Sequence, residues 1–176
     1  DMEHSNIRAV IRAEAHKLGF DSVGFTLPAM PRRVGTNLTE YLERGYQGDM
    51  NWLESRAKER IHPLSVWNQT KSIIVLGVNY GPGENPLALL DHPNHAVLSV
   101  YTRGRDYHDV IKKRLKKFAR WLTETYGSNA KVFVDTAPIM EKPIAAKAGV
   151  GWQGKHTNLV SREFGSWLFL GSVFTT

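Results

Sequence analysis

Two stretches of the chain carry a helical alternation of apolar and polar positions, and short apolar runs of the kind that fill a sheet lie between and beyond them. In 5–18, Ile7, Val10, Ile11 and Leu18 follow a helical period, with Ser5 placed to cap the first turn and Gly19 to stop the last. In 106–126, Ile111, Leu115, Phe118 and Leu122 form one narrow stripe that must face a core, and Gly127, Ser128 and Asn129 end the helix. Residues 72–80, SIIVLGVNY, make a continuous apolar run between turn residues, the pattern of a buried central strand. Shorter strands are predicted at 20–26, 96–101 and 131–134, and further helices at 37–44, at 56–60 (closed by His62–Pro63) and at 140–148. The stretch 81–94 holds three prolines and two glycines and reads as a loop. At the end, 157–161 and 166–175 read as two strands joined by a hairpin turn over 162–165.

Helices and strands interleave, but the order closes on a hairpin rather than a further βα unit. The expected class is therefore α+β, with a mixed β-sheet flanked by helices and one domain over 2–176. Apolar residues make up 41% of the chain, which is enough for a real core at this size. No apolar run approaches the roughly 20 residues that cross a bilayer and no signal-like segment opens the chain, so a cytoplasmic protein is expected. Asp1 ahead of Met2 reads as a residue left from expression, with Met2 the natural start. Cysteine is absent, which excludes thiolate chemistry, disulfides and iron–sulfur ligation by these residues.

The net charge of +6 favours a polyanionic partner without specifying one. Its densest part is the side of the 106–126 helix opposite the apolar stripe, where Lys112, Lys113, Lys116, Lys117 and Arg120 fall, with Arg103 and Arg105 upstream. That side is either a solvated face or a surface for phosphates. His92 and His95 lie in the Pro-rich loop without a second ligand cluster, so no metal site is expected. Residues 149–154, GVGWQG, follow a helix rather than a strand, which fails the context of a dinucleotide-binding turn. Such a turn still offers backbone N–H groups beside Lys155 to a polar cofactor periphery.

Asp135 closes an apolar strand and is followed by Thr136 and Pro138. It is either a helix cap or a general acid. To donate a proton near neutral pH its pKa would have to rise from about 3.9 to about 7, roughly 4 kcal/mol, which burial under an apolar cofactor face would supply.

Read together, these strings resemble the epoxyqueuosine reductases. The resemblance is carried by Val134–Asp135–Thr136–Ala137–Pro138 with Glu141, and by Ala148–Gly149–Val150–Gly151–Trp152–Gln153–Gly154–Lys155–His156. Gly165–Ser166 with Phe169–Leu170–Gly171, Gly104–Arg105–Asp106–Tyr107–His108, Gly48–Asp49–Met50 with Trp52–Leu53, and Arg60 with Pro63 add to it, in family order over nearly the whole chain. The resemblance implies a nitroreductase-like, cobalamin-binding domain of a monomeric enzyme that reduces epoxyqueuosine to queuosine in the anticodon of tRNA. It implies Asp135 as proton donor, and Arg60, Ser99, Tyr107, Gln153, Gly154, Lys155, His156 and Leu170 as cobalamin contacts. Lys112, Lys113, Lys116, Lys117 and Arg120 would then meet tRNA. The family continues into a ferredoxin-like domain with two [4Fe–4S] clusters and a C-terminal helical-repeat region. Without those cluster ligands, this chain is expected to be the cobalamin domain alone, dependent on an external electron donor. A flavin-binding nitroreductase-like domain and a non-catalytic cobalamin-trafficking module are the alternatives, as is a simple RNA-binding domain.

Overall fold

The computed structural model describes residues 2–29, 40, 43–44, 62–81, 107–134, 139–155 and 158–176. Its first helix, α1 (Met2–Lys17), starts ahead of the predicted Ser5 cap, because Met2, Glu3 and His4 contain nothing that breaks a helix. It ends as predicted. Gly19 takes φ 86° and donates to His16, while Phe20 donates to Ala15, the paired bonds of a Schellman motif. Phe20 and Ala15 are both buried at that stop.

Strand β1 (Ser22–Thr26) follows, then the single turn α2 (Pro63–Val66). The pair His62–Pro63 opens this turn; the helix at 56–60 that it was expected to close lies outside the described residues. His62 accepts from the Leu64 N–H at 3.2 Å, and proline sits where a first-turn N–H has no partner to lose. Strand β2 (Ser72–Asn79), helix α3 (Tyr107–Tyr126) and strand β3 (Ala130–Val134) agree with the sequence to within a residue. Helix α4 (Glu141–Lys147) precedes two short strands, β4 (Trp152–Gln153) and β5 (Leu159–Val160), and the long β6 (Leu168–Thr175). Of the predicted helix at 37–44, Arg44 donates its N–H to the Glu40 carbonyl at 3.1 Å. The helix at 56–60, the strand at 96–101 and the loop with His92 and His95 lie outside the described residues.

The main sheet has the order β1-β2-β6-β3, and every neighbour in it is antiparallel. A mixed sheet was the expectation, since β2–α3–β3 looks like a crossover between parallel neighbours. Strands β2 and β3 do run parallel, but β6 inserts between them and opposes both, so among the described strands the sheet is antiparallel, and the α+β class holds. The terminal hairpin is also corrected. Ser161 and Gly165 exchange hydrogen bonds of 2.7 and 3.0 Å around the turn, but β5 pairs with β4 in a separate ribbon while β6 crosses to the main sheet.

The sheet divides the core in two. On one face, Ile74, Leu76, Val78 and Val173 pack against Ile11 and Ala15 of α1 and the predicted stripe Ile111, Leu115, Phe118 and Leu122 of α3. On the other, Ile73, Val75, Leu170 and Phe174 pack against Ile144 and Ala145 of α4, with Trp67, Ile139, Val150 and Leu159. Alternation along β2 sends its odd positions to one helix layer and its even positions to the other. That is why this strand reads as unbroken hydrophobicity.

Candidate active site and basic helix face

At the end of the sheet where β2 finishes and β6 begins, a cavity of about 390 Å³ opens on the α4 side. Its apolar wall is Leu159, Leu168, Phe169 and Leu170; its polar wall is Glu141 and Lys142 from the first turn of α4, with Asn158 and Ser166. Lys142 Nζ donates to Asn158 Oδ1 at 3.2 Å, tying the helix start to the approach to β5. Tyr80 and Trp167 stand at the rim: the Tyr80 N–H donates to the Trp167 carbonyl at 2.9 Å, extending the β2–β6 ladder one residue beyond Asn79. The end of β2 is itself clamped, because the Asn79 N–H donates to Asp21 Oδ2 at 2.7 Å and the Gly81 N–H to Asn79 Oδ1 at 2.9 Å.

Helix α4 is held at fixed height above the sheet by its own stop. Gly149 has φ 77° and donates to Ala146, while Val150 donates to Ala145, a second Schellman motif. Below it, β1 carries Gly24, where a Cβ would come within 2.4 Å of the Ala148 carbonyl oxygen. These bonds correct one expectation. The glycine-rich stretch 149–154 is not an open nest of amides: Gly149 and Val150 are spent on the helix stop, and the Gly154 N–H donates to Asn158 at 2.9 Å. Gly151 passes so close to β5 that a Cβ would meet the Val160 carbonyl at 2.3 Å.

Of the cofactor residues expected from the sequence, Leu170 lines the cavity, with only 7% of its surface accessible. Gln153, on β4, and Lys155 are exposed, and Gly154 is half-buried; none of the three lines this cavity. Tyr107 is the first residue of α3, and its side chain is outside the described ones. Arg60, Ser99, Asp135 and His156 lie outside the described residues. The chain on either side of 135–138 is fixed, however. Val134 pairs with Gly171, next to Leu170 of the cavity wall, and Ile139 is buried under α4. Lys142, Asn158, Tyr80 and Trp167 were not anticipated as site residues. The one sequence signal for Trp167 is a large aromatic beside Ser166 at the start of a strand, ahead of the apolar run.

Lys112, Lys113, Lys116, Lys117 and Arg120 are all exposed on α3, as predicted, while Arg114 between them turns inward to donate to the Gly19 carbonyl at 3.1 Å. This basic face and the cavity lie on opposite sides of the sheet. Among the described residues, no group of three or more His, Cys, Asp or Glu is placed to hold a metal ion, and no helix is long and apolar enough to cross a membrane.

These features define an α+β domain, an antiparallel sheet sandwiched by helices, with an amphipathic recess at one sheet end suited to a cofactor or substrate. A family model described as Epoxyqueuosine reductase QueG, DUF1730, matches residues 60–136. An epoxyqueuosine reductase of Vibrio cholerae is 36% identical over 98% of this chain and 47% of its own length. The fold is shared, at a TM-score of 0.76 and 22% identity, with an epoxyqueuosine reductase solved with an epoxyqueuosine-modified tRNA-Tyr stem loop, covering 97% of this chain and 45% of that one. A Bacillus subtilis epoxyqueuosine reductase, with its aspartate-bearing catalytic loop swung out of the active site, aligns at a TM-score of 0.73 and 21% identity over 97% of this chain and 45% of its own. The chain belongs to the epoxyqueuosine reductase family, and it spans about half the length of the curated relatives it matches.

Proposed function

We propose that this chain is the cobalamin-binding domain of an enzyme that reduces the epoxide of epoxyqueuosine in tRNA, working in the cytoplasm as a monomer and drawing electrons from outside these residues. The observation that carries this reading is the amphipathic cavity at the sheet end where β2 finishes and β6 begins. Val134, the last strand residue before Asp135, pairs next to its wall.

The recess suits the edge of a large macrocycle. Leucines on one wall accept an apolar ring face, and Lys142 and Asn158 on the other supply donors and acceptors for amide side chains. A corrin brings its cobalt in its own nitrogens, so the absence of a metal-ligand cluster among the described residues is no obstacle. Leu170 would hold the ring; Arg60, Ser99, Tyr107, Gln153, Gly154, Lys155 and His156 are further contacts that the family resemblance alone proposes. When bound, reduced cobalamin supplies the electrons for breaking the carbon–oxygen bond. Asp135, protonated in a dry setting, gives its proton to the oxygen as the ring opens. Two electrons and two protons in total convert the epoxide to an alkene and water.

Titration of the purified chain with cobalamin tests the reading. Binding is expected to change the visible spectrum to that of five-coordinate, base-off cobalt. Tight binding of a flavin in preference to cobalamin would overturn it.

The basic face of α3 would then contact tRNA backbone around the β3 edge of the sheet. Changing Lys112, Lys113, Lys116 and Lys117 together to Gln is expected to leave stability within about 0.5 kcal/mol per residue, since all four are exposed. The logarithmic salt dependence of tRNA binding should fall by about one for each phosphate that the variant no longer neutralises. An unchanged slope would remove this face from the interface.

A further inference from the structure

Trp167 belongs to neither apolar cluster, although it is a large ring at the head of a core strand. It is 36% exposed at the rim of the cavity, where leaving an indole in water costs free energy that a partner would recover. Its backbone is held on both sides. The Trp167 N–H donates to the Phe164 carbonyl at 3.1 Å, and its own carbonyl accepts from Tyr80. The Tyr80 ring meets the indole at a centroid distance of 5.6 Å and an interplanar angle of 76°, and itself packs on Phe169 at 5.0 Å. An edge-to-face contact of this kind occupies at most one face of the indole. Gly81 runs close beside it, since a Cβ there would lie 3.3 Å from Trp167 Cβ and Cγ. The result is a preset aromatic at the mouth of a recess that also holds Lys142, in a protein of net charge +6.

We propose that Trp167 is a stacking platform for a nucleobase of the bound RNA, next to the nucleotide that enters the cavity. This rests on the tRNA reading above and adds a residue to it. A nucleotide offers a flat base to the indole and a phosphate to Lys142 in the same recess, so one ligand matches both features.

The test measures binding of an unmodified RNA anticodon stem loop by fluorescence anisotropy over a range of salt concentrations. The whole chain is compared with Trp167→Ala and Trp167→Phe. Trp167→Ala is expected to weaken binding by roughly 5- to 150-fold, the loss of one base stack. Trp167→Phe should retain most of the affinity, and the salt slope should be the same in all three, because every phosphate keeps its cation. Cobalamin affinity should not change in either variant. Equal RNA affinity in Trp167→Ala and the parent overturns the proposal while leaving the function intact. A loss confined to cobalamin binding also overturns it and assigns the indole to the cofactor. Failure of the parent chain to bind the RNA at all overturns the tRNA reading together with the platform.

Discussion

Replacing Asp135 by Asn is expected to slow epoxide reduction by roughly 100- to 10,000-fold while cobalamin still binds, because general acids contribute on that scale. The amide keeps the shape and loses the proton. Asp135 follows β3, whose last residue Val134 pairs with Gly171, one position from Leu170 in the cavity wall. The chain re-enters the described structure at Ile139, buried beneath α4. The prediction rests on the acid role proposed for Asp135, in a segment whose two flanking residues are both fixed in the fold. The measurement is single-turnover conversion of epoxyqueuosine in tRNA by the cobalamin-loaded chain with a strong chemical reductant. Wild-type rates in the Asn variant would show that the oxygen draws its proton from elsewhere; the alternative of a cap on α4 does not apply, because the N-cap of that helix is Met140.

The second large effect is structural. Gly24→Ala is expected to cost about 3 kcal/mol, the upper part of the range for overpacking, and to lower Tm by roughly 6–12 °C. The added methyl would meet the Ala148 carbonyl oxygen at 2.4 Å, Val150 Cγ2 at 2.7 Å and Ala148 Cβ at 2.9 Å. Two of these three atoms belong to the residue that caps α4, and the Schellman bonds from Gly149 and Val150 fix that turn. The helix must lift as a unit, carrying Glu141 and Lys142 away from the cavity. Gly171→Ala is the comparison. Its methyl would approach Leu115 Cδ1 at 2.4 Å, but that is the tip of a side chain able to shift within its rotamer well. Its cost should be about 1–2 kcal/mol. Urea denaturation of both variants, with unchanged m, reads the difference directly. A smaller loss for Gly24→Ala than for Gly171→Ala would mean that α4 is not seated on β1 in solution.

Much of the fold was legible wherever local pattern and tertiary demand coincide. The α3 stripe, the buried run of β2 and the stops at Gly19 and Gly127 follow from spacing and from the backbone freedom of glycine, with Gly127 at φ 66° donating to Thr123. The errors share a cause. That His62–Pro63 opens a helical turn was missed, since proline is compatible with both sides of a helix boundary. The terminal turn was found, but no local signal says which sheet receives the strand on each side of it. The glycines of 149–154 announce unusual backbone, yet whether their amides face a ligand or a helix stop depends on what packs above them.

The same division holds for the site. Family membership and the density of lysine on α3 were present in the residues themselves, because chemical identity and short-range periodicity are written in one dimension. That β6 threads between β2 and β3, that the recess joins Leu170 to Lys142 and Asn158, and that the basic face lies behind the sheet from that recess were decided only in three dimensions. Each depends on strand order, and an apolar strand satisfies its backbone hydrogen bonds equally well beside any neighbour of matching length.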